Sequence, residues 1–255
     1  MPPLSTLGMS GPISTLIGGG ATGLVTENLV LNLVAFDTNS YSGSGSTWND
    51  LSGQNYNGTI NGASSSTVGN DGSGTGSFLF DGYNDNVECG NISGFSTNNE
   101  VTIENWVRFV SLTADDGDNS FVISGGAGSM SYQFTTRPGG YLRFWVGGST
   151  GYVDSSSAAS TNTWYHLVGT HDGSTMKFYI NNSSQGTLSH SYTFPNYIVT
   201  DLGRYRFIPL GGSTPNSENQ NQLAGYISVA RVYQKALTAS EVARNYNLDK
   251  SRYGY

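Results

Sequence analysis

The chain has 255 residues, a net charge of -7 at pH 7 and only 11% charged residues. Its 11 Lys and Arg are scattered, so no basic run is present to neutralise phosphates, and a nucleic-acid partner is not expected. A single cysteine, Cys89, rules out an intrachain disulfide and reads as a small buried apolar residue, which leaves stability to burial and hydrogen bonding.

Abundant glycine (35 residues) and tyrosine (16) with so few charges predict short strands joined by Gly, Ser and Asn turns, an all-β chain. Sandwiches commonly use this length for one domain, and no charged or proline-rich linker divides the chain after residue 30.

The first 28 residues differ from the rest. They combine Pro2, Pro3 and Pro12 with Gly18 to Gly20 and carry no charge before Glu27. A secretory leader needs a cationic start and a continuous apolar core, whereas Leu4, Leu7, Ile13, Leu16 and Ile17 are isolated. No stretch elsewhere has the apolar length to span a membrane, so no membrane insertion is expected. Residues 1–28 read as an extended N-terminal arm, either a solvating tail or an assembly segment that becomes ordered on a partner. Residues 29–255 form the domain.

A series of motif blocks follows in chain order. The first are Asn32-Leu-Val-Ala-Phe-Asp37 and Trp48-Asn-Asp-Leu-Ser-Gly-Gln-Asn-Tyr-Asn-Gly-Thr59. Phe78-Leu-Phe-Asp-Gly-Tyr-Asn-Asp-Asn-Val87 and Val101-Thr-Ile-Glu-Asn-Trp-Val107 come next. Thr163-Trp-Tyr-His-Leu-Val-Gly-Thr-His-Asp-Gly173 is closely followed by Lys177-Phe-Tyr-Ile-Asn181. The last block, Gly225 to Tyr246, is a strand-like run from Tyr226 to Tyr233 leading into a short helix, opened by Thr238 and Glu241 three residues later as a capping box.

Strand alternation sorts side chains onto faces. Val101, Ile103 and Val107 point inward with Asn105, which therefore needs buried partners, while Thr102, Glu104 and Trp106 share the other face. Leu142, Phe144 and Val146 oppose Tyr141, Arg143 and Trp145, and Phe178 and Ile180 oppose Lys177 and Tyr179. Trp164, Leu167, Phe178, Ile180, Ile227 and Val232 are expected among the buried residues. On a single sheet, Glu104, Trp106, Tyr141, Arg143, Trp145, Lys177 and Tyr179 would form an aromatic and polar surface able to stack on sugar rings or on protein. The alternative is that these aromatics pack as cross-strand pairs or lie under loops.

In order and spacing, the motif blocks resemble the laminin-G-like members of the concanavalin A-like lectin/glucanase superfamily, from about Leu29 to Tyr246. The resemblance implies a two-sheet antiparallel jelly-roll sandwich with a short C-terminal helix. Related glucanases place two carboxylates on one strand as E-x-D-x-x-E, one as nucleophile and one as acid. No such spacing occurs here, and Ile227-Ser-Val-Ala-Arg231 carries no acid, so hydrolysis is not expected. His166 and His171 fall on opposite faces of their strand, unsuited to one metal, and His190 lies apart. Calcium is the one ion the resemblance implies, and Asp81, Asn84 and Asp85 offer hard oxygen ligands, although Asp-Gly and Asn-Asp are also ordinary turn chemistry. Asp37, Asp50, Asp115, Asp116 and Asp118 are weaker ligand candidates, the last three reading as a solvated hairpin tip. The sequons at Asn57, Asn91, Asn181 and Asn182 are expected by chance in so Asn- and Ser-rich a chain.

The uncharged arm and the Asn, Gly, Ser and Thr content also resemble bacteriophage structural proteins of this family. This resemblance implies a non-enzymatic virion protein assembled in the host cytoplasm: a capsid decoration or a head, neck or tail accessory protein. It would contact other virion proteins through its arm as a homo-oligomer and bind cell-surface glycans. A carbohydrate-binding module of a bacterial surface protein is the alternative, and a degenerate polysaccharide hydrolase the second.

Overall fold

The computed structural model describes residues 23–67, 76–113, 121–126, 130–205 and 222–255, in which the alternating apolar pattern becomes strands. In chain order these are β1 (Leu29–Val34), β2 (Thr47–Trp48), β3 (Gly58–Asn61), β4 (Ser64–Ser66), β5 (Ser77–Asp81), β6 (Asn86–Ser93), β7 (Val101–Phe109) and β8 (Phe121–Gly126). There follow β9 (Met130–Arg137), β10 (Tyr141–Val146), β11 (Tyr152–Ala158), β12 (Trp164–His171), β13 (Thr175–Ile180), β14 (Ser183–Ser189), β15 (Tyr197–Leu202) and β16 (Ala224–Tyr233). Helix α1 (Ala239–Asp249) and a 3-10 turn at Lys250–Tyr253 close the chain.

The strands build two eight-stranded sheets. The first runs β14-β13-β12-β7-β16-β5-β4, and β1 also pairs with β16. Strand β16 is long enough to hold β5 along Ala224 to Ile227 and β1 along its remainder. A register shift against β7 between Ile227 and Val229 adds a residue there. It turns Val229, Arg231 and Tyr233 outward while Ala230 and Val232 stay in the core. The second sheet runs β11-β10-β9-β8-β15-β6-β3-β2.

The two inner faces interdigitate around Leu33, Phe78, Ile103, Val107, Phe134, Phe144, Leu167, Phe178 and Ile227. Each such side chain contributes about 1.5–3 kcal/mol by leaving water. The sheets approach closely where Gly169 of β12 meets Phe144 of β10: a Cβ at Gly169 would stand 2.3 Å from that ring. Leu167, Phe178, Ile227 and Val232 are buried as expected and Ile180 is half-buried against the same core. Trp164 differs: it faces outward and packs on Tyr253, with ring centroids 4.9 Å apart.

The Trp48–Thr59 block owes its form to Asp50. One carboxylate oxygen accepts the Asn32 and Ser52 amides, both at 2.8 Å, and the other accepts the Ser52 hydroxyl at 2.7 Å and the Tyr56 amide at 3.1 Å. This fixes the loop that buries Trp48 against Phe78.

The arm residues 1–22, including Leu4, Leu7, Ile13, Leu16 and Ile17, lie outside the described residues. The last six of the segment read as an arm, residues 23–28, pack on the sandwich. Val25 is buried and its amide donates to Asn245 Oδ1 at 3.0 Å. Arg244 of α1 donates to the Gly23 and Leu24 carbonyls, and Lys235 pairs with Glu27.

Candidate functional site

The outer face of the first sheet is sealed. Register places Thr102, Glu104 and Trp106 of β7 beside Thr170, Val168 and His166 of β12, and beside Tyr233, Arg231 and Val229 of β16. Helix α1 and the 3-10 turn lie over them. Glu104 Oε1 accepts from Arg231 Nη1 at 2.7 Å and from His166 Nε2 at 3.0 Å, and Oε2 accepts from Asn245 Nδ2 at 2.7 Å. Arg231 also donates to Asp249 Oδ2 at 3.0 Å and to Asn32 Oδ1 at 3.2 Å. Burial by itself pushes the Glu104 carboxyl up. The Arg231 charge and the hydrogen bonds from His166 and Asn245 outweigh it and hold the group at about 2.

This corrects part of the expected ligand surface. Glu104 and Trp106 have no exposed surface. The Trp106 ring stacks on Tyr253 at 3.9 Å and lies 5.8 Å from Tyr246 and 4.9 Å from His166. Tyr179 is buried in a second apolar cluster with Val25, Val168, Tyr233 and Val242, and only Lys177 of that set is exposed. Alternation assigned the faces correctly, but an outward residue is open only if nothing packs over it. Asn105 points inward as expected; its Nδ2 donates to the Val229 carbonyl at 3.3 Å, and Oδ1 is buried without a partner.

Tyr141, Arg143 and Trp145 belong to the other sheet, on β10, and there the outer face is exposed along the β10–β11 edge. Register sets Trp145 between Tyr152 of β11 and Gln133 of β9, and Arg143 between Asp154 and Thr135. Arg143 grips Asp154 with Nε at 2.5 Å and Nη2 at 2.7 Å, and its guanidinium lies 3.5 Å from the centroid of the Tyr152 ring. Tyr141 is 42% and Tyr152 38% exposed. Gln133 Oε1, next to Trp145, is buried and has no hydrogen-bond partner. The row continues through Ser124 and Asp201 to Glu88. There the chain at Arg204 crosses over it, donating from Nε to Asp201 at 3.1 Å and from Nη2 to Glu88 at 2.6 Å. The accessible part is therefore the β9–β11 end, a platform of tyrosine and tryptophan with a fixed Arg-Asp fork in it.

Sequence reasoning found three residues of this patch and missed Tyr152, Asp154 and Gln133. A signal existed in the alternation Tyr152-Val-Asp154, where Val153 packs in the core and its neighbours face outward.

The proposed calcium ligands sit in the β5–β6 turn. Asp81 Oδ1 accepts the Tyr83 amide at 2.8 Å and the Asn84 amide at 3.3 Å, and Asp85 Oδ2 accepts the Asp81 amide at 2.9 Å. These are turn contacts. Burial raises the Asp85 pKa, and the neighbouring Asp81 charge adds to it. Asp37 likewise accepts from Asn39 within its own turn. Asp115, Asp116 and Asp118 lie outside the described residues, among which no group of three His, Cys, Asp or Glu is placed to share a metal. His171 faces the core side and contacts the Asn99 and His190 carbonyls, far from the role of His166. Cys89 is buried, which raises its thiol pKa strongly.

Two antiparallel sheets, one sealed by a terminal helix and the other presenting an open aromatic and polar face, define a lectin/glucanase-like β-sandwich. The chain belongs to the Concanavalin A-like lectin/glucanases superfamily: its laminin-G family profile matches residues 81–243, more than half of the sequence. No curated protein matches in sequence. Among solved structures the chain is similar to Trypanosoma rangeli sialidase in complex with sialic acid, with a TM-score of 0.62 and 14% identity over 89% of this chain. It spans 34% of the sialidase chain. Domain 4 of a GH43 extracellular arabinanase from Geobacillus stearothermophilus, in complex with arabinotriose, is similar over 87% of this chain and 98% of its own, with a TM-score of 0.58 and 21% identity. The binding domain of Paraclostridial Mosquitocidal Protein 1 is similar with a TM-score of 0.57 and 20% identity, over 87% of this chain and 52% of that one. At these identities the likeness is one of fold.

Proposed function

We propose that the protein is a non-catalytic carbohydrate-binding module that serves as an accessory protein of a virus particle, with the β9–β11 face as its glycan platform. The observation that carries the binding reading is the open face itself, where Tyr141, Trp145 and Tyr152 flank the Arg143–Asp154 fork. Rings of this kind take the C–H face of a sugar, and a fixed polar fork orients its hydroxyls. The fold family and the carbohydrate complexes among similar structures agree with this reading. The non-catalytic part is supported by the absence of an E-x-D-x-x-E spacing and by Glu104, an acid on a strand of the sheet, which is closed under α1 and committed to Arg231.

The particle setting rests on the uncharged sequence before Gly23, whose isolated apolar residues need a partner to cover them. The described chain begins beside α1, on the side opposite the platform, which leaves the glycan face clear when the other side is attached.

A glycan array followed by titration calorimetry tests the binding. Trp145→Ala and Tyr152→Ala should each weaken it about ten-fold without lowering the melting temperature appreciably. Unaltered affinity in both variants would remove the platform from consideration, and release of reducing sugar from laminarin or lichenan would overturn the non-catalytic reading. Mass spectrometry of purified particles that fails to find the chain would overturn the virion setting.

A further inference from the structure

We infer that the β9–β11 face selects neutral sugars and discriminates against acidic ones, an inference that rests on the glycan-binding reading of this face. Recognition of a sialic or uronic acid generally relies on an arginine that offers its forked edge to the sugar carboxylate. Arg143 is the cation at the centre of the platform, and both ends of its forked edge are taken: Nε by Asp154 Oδ1 at 2.5 Å and Nη2 by Asp154 Oδ2 at 2.7 Å. One face of the guanidinium is taken too, by the Tyr152 ring at 3.5 Å.

The Arg143 side chain is 14% exposed and that of Asp154 is 38% exposed, so the more accessible charge of the pair is the anion. An approaching carboxylate meets Asp154 before it meets Arg143. Among the described residues, the next cation along the face, Arg204, is held by Asp201 and Glu88, and Arg137, opposite Tyr141, is also engaged. The net charge of -7 adds a long-range repulsion of polyanions.

A neutral sugar suits the same groups. The partly exposed Asp154 carboxylate accepts from hydroxyls, and the remaining Nη1 of Arg143 donates to one. The rings of Tyr152 and Trp145 supply the stacking surface.

The test compares laminarihexaose, arabinotriose and lactose with 3′-sialyllactose and trigalacturonic acid, by calorimetry on the full chain. The expected result is binding of at least one neutral probe, unchanged between about 0.05 and about 0.5 M salt, with the acidic probes at least about ten-fold weaker. Asp154→Asn frees the Arg143 fork and should shift the acidic-to-neutral affinity ratio at least about ten-fold toward the acidic probes. Should that variant unfold, the salt dependence and the probe ranking of the wild type decide by themselves. Acidic probes bound as well as neutral ones, or a ratio unmoved in folded Asp154→Asn, would overturn the selectivity while leaving glycan binding in place. Failure of every probe would overturn the glycan reading and the selectivity together.

Discussion

Glu104 shows how one residue can look like part of a ligand surface in sequence and act as a structural anchor. Its carboxylate has three donors, and with the folded value near 2 against a usual 4.5, its contribution to stability is complete above about pH 4.5. That contribution is lost as pH falls from there toward 2. Asp172 and Glu241 are also depressed and act in the same direction, whereas the raised Asp85 opposes them. Glu104→Gln should cost on the order of 3 kcal/mol in urea unfolding at pH 7, because it leaves Arg231 buried with one of its two carboxylate partners. The variant's acid-unfolding curve should be shallower than that of the parent between pH 4.5 and 2. An unchanged curve would mean that the Arg231 ion pair is not the source of the shift.

At the scale of elements, α1 determines which face is available. Thr238 caps it, its hydroxyl accepting the Glu241 amide at 3.3 Å while the Glu241 carboxylate accepts the Thr238 amide at 2.8 Å. Its inner side carries Val242 and Asn245 onto Val168, Tyr233 and Glu104. Tyr253, just beyond it, covers Trp106 and donates to Ser228 Oγ at the β16 bulge at 2.7 Å. Thr238→Ala should destabilise the fold by about 1 kcal/mol, read as a lower thermal midpoint, since the cap loses its acceptor. Glycan affinity should not change, because the platform lies on the opposite sheet. A Thr238→Ala protein with weakened glycan binding would mean that the two faces are coupled.

For the whole molecule, the first described residues and the C-terminal helix meet on the sealed side, where residues 23–28 and α1 hold each other. Deleting residues 1–22 should leave the melting temperature unchanged, because none of the described contacts is lost. Deleting 1–28 removes the buried Val25, its hydrogen bond to Asn245 and the Glu27–Lys235 pair, and should cost about 2 kcal/mol, or about 4–8 °C. Equal melting temperatures for the two deletions would show that the 23–28 contact contributes nothing. Under the virion reading, the shorter deletion is the one that should abolish particle incorporation while leaving the sandwich intact.

The sequence by itself determined the all-β class and the capped terminal helix through local signals, alternation in Val101–Val107, glycine and asparagine at turns, and Thr238 paired with Glu241. The two-sheet sandwich followed from the resemblance of its motif blocks to the family. The sequence also sorted β7, β10 and β13 side chains onto the right faces, because the period of a strand is fixed by its backbone. What only the tertiary structure decided was which outward residues are covered and which outward residues share a sheet. Glu104, Trp106 and Tyr179 alternate as regularly as Tyr141, Arg143 and Trp145, yet α1 and the segment before β1 close over the first group. The two sets also belong to different sheets, a matter of strand pairing across long sequence separations. No local pattern encodes that pairing, so the binding face becomes recognisable only when Tyr152 and Asp154 arrive beside Trp145 and Arg143.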